Sequence, residues 1–368
     1  MQRKSSPTRF AGLIRSAGWF AVVLIAVAVV TSLVAELTTG ATPVPGLPSP
    51  STAVKFGIPI FRVLLDVSVV ATMGLALLAK FLGFEDPDRT EPVMVRARRV
   101  AVWTSWTWVA AAPISVVLLS AEVYPDRFPT RTSAFLDIIT APLSFLQYAV
   151  TSPELIWHYV VGVPAGKGLL VVAGIGLLSV WVGRISIRRG ESVPAELRAG
   201  IAAFGLLPLP LTGHASTWVF HDLVMMSMEL HLVGAASWAG GLGATILFLA
   251  RRPTLLAIAL PRFSRLATFG VFIVVVSGVF SGLATLATSD IAVPLPTSIW
   301  TTHYGQLLIA KLACVSLIAV VAVIVRRGML TRIADQQPTA IAKWCGFELM
   351  VMAAAYGIAV VLTRSAPY

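Results

Sequence analysis

The chain has five histidines, His158, His214, His221, His231 and His303. Three of them crowd the stretch GHASTWVFHDLVMMSMELH together with Met225, Met226 and Met228. Imidazole nitrogen and thioether sulfur are the donors that favour copper, Cu(I) above all, over hard ions such as magnesium or calcium. On a helix, His221, Met225 and Met228 stand at i, i+4 and i+7 and fall along one stripe, with His231 a turn further in. From His221 to His231 is about 15 Å of helix, too far for one metal site and suited to two in succession. Each part also has a plain structural meaning. Methionine at helical spacing is mostly flexible packing, and a single helical histidine more often bonds a neighbour than a metal. Ahead of this stretch, LLPLPLTGH places Pro208 and Pro210 just before Gly213 and His214, and proline ends the backbone ladder there, as a kink or as an ion-binding break.

The carboxyl half holds further polar groups in apolar surroundings: Asp222 and Glu229, Lys311 in YGQLLIAKLAC, and Glu348. Ionisable groups at membrane depth are costly and are expected to be paired or functional. A Glu229–Lys311 or Glu348–Lys311 pair is the economical structural reading, and a charge or proton relay through Glu229, Lys311 and Glu348 is the functional one. Cys314 and Cys345 make no ligand or disulfide motif and read as small buried residues. Trp218, Trp300 and Trp344 sit where interfacial anchors belong.

These residues have to be held by membrane helices. The chain is 57% hydrophobic and 12% charged, with a mean hydropathy of +0.85, and its apolar blocks are as long as a bilayer is thick. The expected fold is an all-α polytopic membrane bundle of about nine spans, near 14–35, 57–81, 100–120, 167–186, 198–213, 223–249, 265–288, 304–325 and 344–363. Segment 133–152 carries Asp137, Pro142 and Gln147, so it is expected as an amphipathic or re-entrant helix on the outer surface. The first apolar block, from Gly18 to Val34, is longer than a usual signal core and reads as an uncleaved anchor.

Basic residues beside spans are retained on the cytoplasmic side, and here they alternate cleanly. Arg3, Lys4, Arg9 and Arg15 come first, then Arg89, Arg96, Arg98 and Arg99, then Arg184, Arg188, Arg189 and Arg198. Arg251, Arg252, Arg262 and Arg265 follow, and last Arg326, Arg327, Arg332 and Lys343. The amino terminus is therefore expected inside and the carboxyl terminus outside, with every histidine in the outer half. Anionic lipid and topology account for the net charge of +11 without nucleic acid. Two regions are expected: 1–197, with four spans and longer loops including the Pro-rich 36–56, and 198–368, with five closely spaced spans and most of the intramembrane polar groups.

Gly213-His214, HLVGAASWAGGL from His231 to Leu242, RFSRLA from Arg262, Ser277-Gly278, YGQLLIAKL from Tyr304, Glu348 and the closing TRSAP occur in the order seen in the CopD copper-resistance membrane family. Residues 198–366 resemble that family, and the first four spans resemble its amino-terminal part more loosely. The resemblance implies copper transport across the bacterial cytoplasmic membrane, a role in copper homeostasis or resistance, and a periplasmic carrier of the CopC type as partner. It further implies an all-helical bundle without ATP-hydrolysing machinery, and the chain indeed has no G-x-x-x-x-G-K-[ST] loop. Relatives are often fused to a CtaG-like domain, which connects the family to cytochrome oxidase assembly. Copper would be caught at the outer face by His214, His221 and His303 and passed to Met225, Met228 and His231, with imidazoles that must be deprotonated to coordinate.

A rival from another class rests on H-x6-W-x-G-G-L, which is similar to a helix of the HemJ-type membrane protoporphyrinogen oxidases. That family also keeps a lysine on a later helix, and His231 and Lys311 would fill the two places, with haem supplying redox chemistry. The Met225, Met226 and Met228 cluster suits copper better, so copper transport without an enzymatic step is the preferred expectation.

Overall fold

The computed structural model describes the backbone of residues 7–39, 48–83, 85–130, 133–212, 221–288, 296–334 and 338–364, with the side chains of all of these except 7–17, 39, 212, 221, 288 and 321–343. Every regular element among the described residues is helical. The α-helices are α1 (Pro7–Thr39), α2 (Thr52–Leu82), α3 (Pro87–Val123), α4 (Ala134–Thr151), α5 (Pro153–Gly162), α6 (Pro164–Arg189), α7 (Ala195–Leu206), α8 (His221–Leu249), α9 (Pro253–Thr288), α10 (Thr297–Thr301), α11 (His303–Ala334) and α12 (Pro338–Leu362). Local chemistry sets several starts. The Ser51 hydroxyl accepts from the Val54 N–H at 3.2 Å, Asp86 accepts from Arg89 ahead of Pro87, and Ser133 accepts from Leu136; each satisfies an otherwise orphaned helix donor.

Contacts sort the helix ends onto two faces. At one, here the arginine end, Arg262 of α9 donates to the Phe81 carbonyl at 3.4 Å and to Glu85 at 3.1 Å, Lys80 pairs with Glu196, and Arg98 pairs with Glu91 and Glu191. Arg262 also lies over Gly83, the residue at φ 72° that ends α2, where a Cβ would stand 2.2 Å from its Nη1. Its guanidinium thus serves the carbonyl-rich end of that helix. At the opposite, histidine end, Arg364 pairs with Glu122, and Ala35, Leu286, Tyr304, Leu307 and Leu362 form one cluster. The three described arginine-rich connectors therefore share a face, as the charge pattern predicts. Helices α1 and α12 run side by side in the same direction, with Gly346 against Phe20 and Gly357 against Ala28 and Thr31.

Nine helices among the described residues are long and apolar enough to cross a membrane. Eight coincide with expected spans; the ninth is α4, expected on the surface, while the expected span 198–213 is not a single long helix. The contacts explain both differences. From Asp137 to Tyr148, α4 advances about 17 Å and, apart from its chain neighbour α5, packs on the ends of α2 and α3. Asp137 accepts from the Ala53 N–H at 2.9 Å, Phe145 packs on Gly57 and Phe128, and Tyr148 hydrogen-bonds Ser120 at 3.0 Å. It lies across the histidine end, with Phe135, Ile139, Leu143, Leu146 and Val150 exposed. Residues 198–211 instead form α7 and a 3-10 turn at Leu209–Thr212, running antiparallel to α6: Arg198 shares a cavity with Ser186, and Pro208 and Leu211 pack on Gly168. The helix stops because Pro208 and Pro210 have no N–H to donate. Arg62 of α2 donates to the Leu209 carbonyl at 3.3 Å at the break.

Small residues let the helices approach. A Cβ on Gly74 would stand 2.0 Å from the Gly240 carbonyl oxygen, so α2 and α8 meet backbone to backbone, the packing that membrane helices favour where no hydrophobic force separates them from lipid.

Candidate functional site

His231 is 8% exposed and lies between α8, α9 and α11. Its Nδ1 is 3.2 Å from the Ser277 hydroxyl, its ring also hydrogen-bonds the backbone of Val274, and its Nε2 is 3.4 Å from Lys311 Nζ. The proton positions follow from the partners. Ser277 donates its one hydrogen to the Ile273 carbonyl at 2.5 Å, so its oxygen accepts from the imidazole, and the Val274 carbonyl can only accept. Nδ1 therefore carries the ring proton, and the Nε2 lone pair points at an ammonium that has donors only. Gly278 makes room: a Cβ there would stand 3.0 Å from His231 Cε1.

A hydroxyl stripe leads from this histidine toward the histidine end. Ser277, Ser281 and Thr285 recur every four residues along α9, all buried. Ser281 donates to Ser227 of α8 at 3.0 Å, Ser227 donates to the Ser277 carbonyl at 3.1 Å, and Tyr304 hydrogen-bonds Thr285. Thr285 is about 12 Å above Ser277 along the helix.

The expected residues divide accordingly. His231 and Lys311 are brought together. Met225 and Met228 are half-buried and Met226 is exposed; Met228 lies about 60° around α8 from His231, which shares the α9-facing side with Ser227. His303 and His158 are exposed at the starts of α11 and within α5. His214 lies outside the described residues, and of His221 only the backbone is described. Lys311 meets His231 in place of the expected Glu229 or Glu348; Glu229 is half-buried and Glu348 is buried near Cys345. Among the described residues no three His, Cys, Asp or Glu side chains gather as a metal-binding group. Cys314 and Cys345 are free thiols.

Sequence reasoning missed the roles of Ser277, Ser227 and Ser281, and a triad around buried Asp66 that joins the two halves of the chain. Asp66 accepts from Arg62 Nε at 2.9 Å and from the Tyr356 hydroxyl at 2.6 Å, which ties α2 to α12. Its signal was present: an arginine and an aspartate at i, i+4 inside an apolar span call for a partner.

The quoted motifs now have positions. HLVGAASWAGGL supplies His231, the Gly234 contact with Gly270, the buried Trp238 and the Gly240 contact with α2; RFSRLA supplies Arg262; Ser277-Gly278 seats the imidazole; YGQLLIAKL supplies Tyr304 and Lys311. The fold and site define a polytopic, all-helical membrane protein with a buried histidine–lysine contact. Residues 257–362 match the family model of copper resistance protein D. The match covers α9 to α12, so Ser277 and Lys311 fall within it and His231 precedes it. No curated protein and no solved structure matches the chain.

Proposed function

We propose that this protein carries copper, as Cu(I), from the histidine end of the bundle into or across the bacterial cytoplasmic membrane, and so serves copper uptake, homeostasis or resistance. The observation that carries the reading is the fixed tautomer of buried His231, whose Nε2 is held as a lone pair by partners, Ser277 and Lys311, that lie within the copper-resistance match. Neutral imidazole is a ligand suited to copper, and a hydrogen bond at the other ring nitrogen orients and strengthens it. His214, His221 and His303 are the capture residues at the outer face, fed by a carrier of the CopC type. Met225 and Met228 are soft intermediate donors. At His231 the incoming ion takes the place of the Lys311 ammonium, one cation replacing another, so that the carrier never holds two uncompensated positive charges at one nitrogen. Glu229 and Glu348 balance charge, and the carboxyl region 198–368 is the copper-handling part.

Uptake of copper into vesicles reconstituted with purified protein tests this. Wild type should load copper faster than empty vesicles, and His231→Ala, correctly inserted, should fall to the empty-vesicle rate; normal uptake by that variant removes His231 from the path. The His231–Lys311 contact at 3.4 Å also favours a second reading, a haem-binding oxidoreductase of the HemJ type or a factor for cytochrome oxidase assembly. A visible spectrum separates it from copper transport.

A further inference from the structure

Helices α3 and α6 run antiparallel, with Val102 against Gly183, Ser105 bonded to Ser179 at 2.9 Å and Trp108 against Gly176. Beside that seam they leave an open groove near the arginine end. Arg99, Trp103 and Trp106 of α3 stand at i, i+4 and i+7, and Trp181, Arg184 and Arg188 of α6 at i, i+3 and i+7, so each set shares one helix face. All six side chains are exposed. Thr104 bonds Thr72 of α2 and Val182 packs with Ile201 of α7; each is two residues from Trp106 or Arg184, about 160° around its helix, so the groove faces away from the bundle. The two faces meet where the Arg184 guanidinium lies over the Trp106 ring, 5.5 Å from its centre.

The groove is short of acid. Glu91 and Glu191, the carboxylates at this level, both pair with Arg98; Glu191 also faces Arg198, and Glu196 pairs with Lys80. Among the described residues no carboxylate or carbonyl partners Arg99, Arg184 or Arg188. The indole of Trp106 attracts the Arg184 charge but presents no lone pair, so the N–H donors of that guanidinium are left for an acceptor from outside the chain. The antiparallel pairing sets the levels. Arg99 and Arg188 lie within about a turn of each other at the rim, next to the Arg98–Glu191 pair, and Trp103, opposite Trp181, is about 6 Å deeper than Arg99. Cations at the rim with indoles below them match the order of a bilayer interface, where phosphate gives way to glycerol and acyl chain.

We propose that this groove binds one anionic phospholipid from the leaflet at the arginine end. Its phosphate accepts from Arg184, with Arg99 and Arg188 flanking, and its glycerol and upper acyl chain pack on Trp103, Trp106 and Trp181. A zwitterionic lipid brings a further cation among three guanidiniums that no carboxylate offsets, and a free phosphate ester leaves the three indoles uncovered. The lipid bridges α3 to α6, on helices other than those that hold His231, and the site does not depend on the copper reading.

Native mass spectrometry of the purified full chain in detergent tests this, titrated with dioleoyl phosphatidylglycerol, dioleoyl phosphatidylcholine or glycerol 3-phosphate at about 0.15 M ionic strength, where exposed charges more than about 8 Å apart are largely screened. In wild type the first phosphatidylglycerol should bind about tenfold or more tighter than the first phosphatidylcholine, and glycerol 3-phosphate should not compete with it. Arg184→Gln should weaken phosphatidylglycerol binding by roughly fivefold. Trp106→Leu keeps every charge and should weaken it by roughly two- to fivefold. Arg189→Gln removes an exposed charge that lies about 140° around α6 from Arg184, and should change it by less than about twofold. Equal affinity of wild type for the two lipids, or equal losses in Arg184→Gln and Arg189→Gln, reduce the groove to general surface charge and overturn the site, as does unchanged affinity in Trp106→Leu. Competition by glycerol 3-phosphate at the concentration of the lipid overturns the occupant in favour of a free phosphate ester.

Discussion

Ser277→Ala removes one hydroxyl, 3.2 Å from His231 Nδ1, and leaves every candidate copper donor in place. The outcome can be worked from the partners. The ring proton sits on Nδ1 because Ser277 and the Val274 backbone both accept from the ring. Deleting the hydroxyl removes one acceptor and retains the other, so the tautomer survives but is held less firmly. Loss of a partner that orients a metal-binding histidine typically weakens metal binding by about 10- to 100-fold, or roughly 1.4–2.7 kcal/mol. With the Val274 carbonyl retained, the expectation is the lower end, about tenfold. Competition against a chromophoric Cu(I) chelator measures it on purified protein, and Ser277→Thr, which keeps a hydroxyl, should restore most of the affinity. If Ser277→Ala binds copper within about twofold of wild type, the hydroxyl does not orient a ligand and the tautomer argument fails.

Lys311→Met removes the cation that occupies Nε2, so Cu(I) affinity should rise by about tenfold or more; a fall in the same chelator competition would make Lys311 a ligand or a required charge instead. Gly240→Ala places a methyl 2.3 Å from the Val70 carbonyl oxygen, which forces α2 and α8 apart and should cost about 1–3 kcal/mol, seen as a lower Tm in detergent; an unchanged Tm contradicts the close approach. Asp66→Asn leaves half-buried Arg62 without its carboxylate and should destabilise by about 3 kcal/mol, the lower end for a broken buried pair, whereas Tyr356→Phe deletes one hydrogen bond to a charged group and should cost about 1.5 kcal/mol. Equal effects of those two, read by thermal unfolding, would mean that the Arg62–Asp66 pair contributes nothing beyond the tyrosine contact.

The fold was legible because lipid leaves the backbone few options: apolar blocks of bilayer length must be helices, and the arginine sets mark one face. One expected span keeps its course beside α6, from Ser186 to Gly168, and loses its helical continuity. Segment 198–213 has the hydropathy of a span, but two prolines break it into a short helix and a turn. The site was legible as residue types and not as partners. His231 and Lys311 stood out as polar groups in apolar helices, but their pairing depends on how α11 sits beside α8, which no local pattern encodes. Ser277 was invisible as a functional residue because a serine in a membrane helix usually bonds only its own preceding turn; here it does that and uses its remaining lone pair to hold the imidazole. Met225 and Met228 fall on one stripe as expected, but His231 faces α9 about a sixth of a turn away from Met228.

Copper transport by this route requires that His231 bind copper. Metal content and the visible spectrum of detergent-purified wild type and His231→Ala, measured side by side, test it most directly. Copper that copurifies with wild type near one or more equivalents, falls in His231→Ala, and comes without a Soret band is the predicted result. Undiminished copper in a folded His231→Ala protein, or a Soret band in wild type that disappears with the substitution, would contradict it.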